Sequence, residues 1–96
     1  MSKIVIVEDN ELIAKLYETK LSAEGHTVKV AADGASGFEL INEFKPDAVL
    51  LDLMLPEMSG VEIIKKLRKN QEFFDVPILA YSGGDSELLD EAHKAG

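Results

Sequence analysis

The chain has 96 residues, 46% of them apolar and 29% charged, which is ordinary for a single soluble globular domain with a modest core. It contains no cysteine, so disulfides and thiolate metal sites are excluded, in keeping with a reducing, cytoplasmic setting. Its formal net charge of -8 argues against a nucleic-acid surface, no apolar run approaches membrane length, and the opening MSKIVIVEDN turns acidic too early for a signal peptide.

No linker, repeat or low-complexity segment interrupts residues 1–96, which read as one domain. Lys3 to Val7 is β-branched and apolar on both faces, as a buried parallel strand should be. A helix from Asn10 to about Glu24 follows, with Leu12, Ile13, Leu16, Tyr17 and Leu21 at helical spacing and Gly25 placed to end it at positive φ. Thr27 to Ala31 reads as a second strand. Asp33 can cap a helix over Gly34 to Phe44 that turns Phe38, Ile41 and Phe44 inward, and Pro46 closes that region. Ala48 to Asp52 is the third strand. Ser59 or Gly60 opens a helix to about Lys69, with Val61, Ile64 and Leu67 on one face. Pro77 to Ser82 is a fourth strand, and Asp85 or Ser86 caps a last helix.

Repeated strand–helix units imply an α/β fold, a doubly wound parallel sheet with right-handed crossovers and helices on both faces. In such sheets the working site lies beyond the C-terminal strand ends, where the strand order switches. The residues there are Glu8, Asp9 and Asn10, then Ala32 and Asp33, then Asp52 to Met54, then Ser82 to Asp85.

If the first and third strands are neighbours, the carboxylates of Glu8, Asp9 and Asp52 converge. Like charges held that close raise one another's pKa and destabilise the fold. A hard divalent cation removes the conflict, and Mg²⁺ suits one or two carboxylates, a carbonyl and retained waters. Taken singly, each acid also reads as a solvated loop residue, and Ser82 as the cap of a turn before Gly83 and Gly84. His26 and His93 read as surface residues without a zinc-type partner. Met54 and Met58 read as packing residues rather than sulfur ligands.

VIVEDN after the first strand, LLDLMLPEMSG after the third and LAYSGG after the fourth together resemble the receiver domain of bacterial two-component response regulators. The signature D-x-x-[ML]-P-x-M-x-G is matched throughout by DLMLPEMSG, and the resemblance spans the whole chain. It implies the flavodoxin-like receiver fold, with strand order 2-1-3-4 for the four strands present. By position, Asp52 stands at the phosphoacceptor aspartate, Asp9 at the direct metal carboxylate and Glu8 at the acid that acts through water. Met54 matches the residue whose backbone carbonyl completes the Mg²⁺ site. Ser82 matches the hydroxyl that contacts the phosphoryl group and shifts on activation, and Gly83 the small residue that keeps the phosphate accessible. Pro56 and Gly60 shape the loop, the first by fixing φ and the second by fitting a tight start to the third helix.

The resemblance also implies a fifth strand and helix, with a lysine–proline pair whose lysine contacts the phosphoryl group, and no residue here matches them. The expectation is therefore a C-terminally incomplete receiver whose fourth strand is an edge, prone to self-association with a second copy. The implied function is a phosphoacceptor module that takes its phosphoryl group from a sensor histidine kinase or phosphotransfer protein. A receiver fold kept as a docking or dimerisation module is the alternative. A Mg²⁺-dependent phosphatase is disfavoured, because the second place after Asp52 is Met54 and not an acid.

Overall fold

The computed structural model describes residues 2–55, 60–70 and 76–81. Its elements in chain order are β1 (Lys3–Val7), α1 (Glu11–Ala23), β2 (Thr27–Ala31), α2 (Gly34–Phe44), β3 (Ala48–Asp52), α3 (Gly60–Lys69) and β4 (Ile78–Tyr81). The last helix expected from Asp85 or Ser86, together with Pro56, Met58, Ser82, Gly83 and His93, lies outside the described residues.

The four strands form one parallel sheet in the order β2-β1-β3-β4. The order reverses between β1 and β3, so the switch point falls between the ends of these two strands. Register fixes what meets there. Ile6 pairs with Leu50 and Val7 with Leu51, while Asp52 pairs with Tyr81.

Strand alternation sorts the residues onto two faces. Val5 and Val7 of β1 and Val49 and Leu51 of β3 join Ile41 of α2 and Val61, Ile63, Ile64 and Leu67 of α3 in one buried cluster. Phe38 and Phe44 pack partly buried against it, so the inward face expected for α2 forms, with Ile41 fully enclosed. Ile63 extends the buried face of α3 beyond the three residues expected. Ile4 and Ile6 are buried on the opposite face, the side of α1.

Helix ends are set by short-range chemistry. The Asn10 side chain accepts from the N–H groups of Leu12 and Ile13 at 3.0 and 3.2 Å, and Asp33 Oδ1 accepts from Ser36 N–H at 2.8 Å. At the end of α1, Gly25 takes φ 96°. The Gly25 N–H then reaches Ser22 O and the His26 N–H reaches Leu21 O, a Schellman closure that satisfies two terminal carbonyls.

The apolar series read at helical spacing lies on α1 as expected, and Leu12, Ile13 and Leu16 of that series are exposed. Ala14 alone is buried in that helix, while Leu12 and Leu16 are 83% and 66% exposed. Tyr17 and Leu21, three and seven residues after Ala14 and so on the same side of the helix, are half-buried. One expectation needs correction: His26 is not a plain surface residue, since it is half-buried and its Nδ1 accepts a hydrogen bond from Ser2 N–H at 3.1 Å.

Candidate metal centre

Glu8 continues β1 past Val7, and its N–H donates to Ala31 O of β2 at 3.0 Å. Asp52 is the last residue of β3, and beyond it the Leu53 N–H donates to Tyr81 O at 2.8 Å. Extending the register by one residue puts Glu8 beside Asp52, which is paired with Tyr81. The three therefore form a row across the C-terminal edge of the sheet, on the face toward α1. Asp9 follows Glu8 directly. One carboxylate oxygen from each of Glu8, Asp9 and Asp52 lies within 4.8 Å of the others, an arrangement that could hold a metal ion.

The acids differ in surroundings. Glu8 is 3% exposed and Asp52 8%, while Asp9 is exposed. Both Glu8 oxygens are occupied: Oε2 accepts the Asn10 N–H at 3.0 Å and Oε1 accepts the Tyr81 hydroxyl at 2.5 Å. Burial alone would raise the Glu8 carboxyl, but the Tyr81 and Asn10 hydrogen bonds outweigh it and hold the group below its ordinary value. Asp52 Oδ1 accepts the Met54 N–H at 2.9 Å. Burial pushes the Asp52 carboxyl up to about 6; the Met54 bond opposes this and the nearby Glu8 charge adds to it. Burial and the bond to Glu8 push the Tyr81 hydroxyl well above its ordinary range, so it is protonated and acts as the donor.

Gly60 is buried at the first position of α3, and its N–H donates to Leu53 O at 3.3 Å. Leu53 is 1% exposed and carries the chain out of β3, whereas Met54 is 56% exposed. The expectation of Met54 as a packing residue is therefore wrong: its side chain stands in solvent, and its described contribution is the N–H on Asp52.

The structure thus brings together Glu8, Asp9 and Asp52, with Met54 adjoining. Tyr81 was not anticipated. Counting the register would have found it, because LAY aligned on LLD places the tyrosine beside the aspartate.

The donor set is chemically suited to one kind of ligand. Three carboxylates without nitrogen or sulfur are hard oxygen ligands, which favour Mg²⁺ or a similar cation over zinc or copper. Burial and, after it, the neighbouring Glu8 charge raise the Asp52 carboxyl, and a bound cation would favour its charged form.

Residues 4–96 match the response regulator receiver domain, and the chain belongs to that family. Solved structures agree. The chain is similar to the chemotaxis response regulator CheY4 of Vibrio cholerae, with a TM-score of 0.92 and 27% identity over 100% of this chain and 81% of that one. It is similar to the receiver domain of the Francisella response regulator 1452, with a TM-score of 0.87 and 31% identity over 100% of this chain and 78% of that one. It also matches NtrX from Brucella abortus, with a TM-score of 0.88 and 28% identity over 99% of this chain but 21% of that one. Receiver domains bind Mg²⁺ at an acidic pocket and interact with histidine kinases or phosphotransfer proteins. Among the described residues, no helix is long and apolar enough to cross a membrane.

Proposed function

We propose that this chain is the phosphoacceptor module of a two-component phosphorelay, with Asp52 as the residue that takes the phosphoryl group. The observation that carries this reading is the convergence of Glu8, Asp9 and Asp52 at the switch point of a receiver-family sheet. With its carboxyl near 6, Asp52 is mostly ionised at neutral pH and so is a competent oxygen nucleophile. In the transfer, a P–O bond to Asp52 forms as the P–N bond to the donor histidine breaks, leaving an aspartyl phosphate and a free imidazole. Glu8, Asp9, Asp52 and the Met54 carbonyl would hold Mg²⁺. When bound, Mg²⁺ neutralises the phosphoryl oxygens during in-line displacement. The Met54 N–H fixes one Asp52 oxygen and so limits the rotation of the nucleophile. Ser82 and Gly83 would face the phosphoryl group, and the change in charge would alter contacts with a partner. The donor is a sensor histidine kinase or phosphotransfer protein in the cytoplasm. The chain promotes only its own phosphorylation and dephosphorylation.

Incubation with acetyl phosphate, with and without Mg²⁺, tests this by intact mass. A single phosphoryl adduct that needs Mg²⁺ and is lost in Asp52→Asn is the expected result. A folded chain that neither binds Mg²⁺ nor gains mass sinks the proposal in favour of a docking module. Steady turnover of a small phosphate ester sinks it in favour of a phosphatase.

A further inference from the structure

Glu8 receives its two hydrogen bonds from very different distances along the chain. The Asn10 N–H lies two residues away and comes with the local turn. The Tyr81 hydroxyl lies 73 residues away and reaches Glu8 from β4, across the strand that carries Asp52. Tyr81 is itself well placed. Its backbone is paired with Asp52, and its ring packs on Tyr17 of α1 with centroids 5.9 Å apart and planes at 51°. Two elements therefore hold the hydroxyl that holds the carboxylate.

We infer that Tyr81 is a positioning residue for the acidic cluster: its hydroxyl holds the buried Glu8 carboxylate in the orientation that serves a hydrated cation shared with Asp9 and Asp52. The inference rests on the reading of that cluster as a cation site. A glutamate side chain has several rotatable bonds, and one left free would have to be ordered when the cation binds. Anchored at both oxygens, Glu8 is ordered beforehand. It stays ready to accept from a metal-bound water, since each carboxylate oxygen takes more than one donor. The arrangement parallels the way outer partners orient metal ligands elsewhere.

The test is a Mg²⁺ titration of the whole chain, followed by the amide shifts of Glu8 and Asn10. Wild type, Tyr81→Phe, Glu8→Gln and the double variant are compared. Tyr81→Phe removes one oxygen and keeps the ring against Tyr17. It should weaken Mg²⁺ binding about tenfold, the low end of the range for outer partners of metal ligands. The same change on the Glu8→Gln background should cost nothing further. An affinity equal to or tighter than wild type in Tyr81→Phe overturns the inference, as does an equal loss on both backgrounds, which would mark a merely structural effect. A wild-type chain that binds no Mg²⁺ overturns the cation-site reading and the inference with it. That failure is distinct from the one in which wild type binds and Tyr81→Phe matches it. Should Tyr81→Phe not fold, Tyr17→Phe leaves Tyr81 as the sole tyrosine. Its emission should then respond both to Mg²⁺ and to Glu8→Gln, and indifference to either overturns the inference.

Discussion

Gly60 lies so close to the backbone of Asp52 that a β-carbon on it would stand 2.8 Å from the Asp52 carbonyl oxygen. The same atom would stand 2.8 Å from Leu53 Cα, which is also backbone. In an ordinary helix, replacing glycine by alanine stabilises by about 1 kcal/mol. Here the neighbours cannot rotate away, and they belong to the strand end that aims the carboxylate. Gly60→Ala should therefore destabilise by about 1–3 kcal/mol, the usual cost of overpacking. Chemical denaturation measures it, and an alanine variant as stable as wild type would show that the strand end yields without cost.

Much of this arrangement is legible in the amino-acid sequence. The run KIVIV names a strand buried on both faces, and it occupies Lys3–Val7 as read. Asp33 and Gly25 announce a helix start and a helix end by their own backbone chemistry, which is why those boundaries could be placed. The three acids could be grouped because strand ends are visible in sequence and a β/α alternation restricts where they meet. Tyr81 escaped for the opposite reason. A tyrosine in ILAY reads as an ordinary strand former, and its partner is 73 residues distant, so its meaning exists only once the register of β1, β3 and β4 is set. Leu12 and Leu16 mark the limit of the same reading: helical spacing reports an apolar face but not which neighbour covers it.

Asn10 serves both the helix and the site, through different atoms. Its side chain caps α1, and its backbone N–H donates to Glu8 Oε2. Asn10→Ala removes only the cap and should cost about 1 kcal/mol. Asn10→Ser, which can cap equally well, should restore most of that. Because the backbone donor survives in both, Mg²⁺ affinity should change little. Thermal melts alongside a Mg²⁺ titration check this; affinity falling in step with stability would mean that the capped helix, rather than the N–H, orients Glu8.

The raised Asp52 carboxyl has a consequence for stability without metal. Its folded value, about 6, lies above the ordinary 3.8 of an unfolded aspartate. The folded state thus binds the Asp52 proton more tightly. The group costs no stability at pH below both values, and its cost grows as pH rises through that interval until it is complete above about 7. The amide of the Asp52→Asn variant would keep an oxygen for the Met54 N–H and cannot ionise. In EDTA, Asp52→Asn should therefore be more stable than wild type by on the order of 2 kcal/mol at about pH 7.5, with the gap narrowing toward about pH 4.5. Saturating Mg²⁺ should shrink the gap at the higher pH, because a bound cation stabilises the charged wild-type cluster and has less to hold it in the variant. Thermal unfolding of both chains at the two pH values, with and without Mg²⁺, measures each part. A gap that is independent of pH, or an asparagine variant less stable than wild type in EDTA at the higher pH, would mean that folding does not hold the Asp52 carboxyl above its ordinary value.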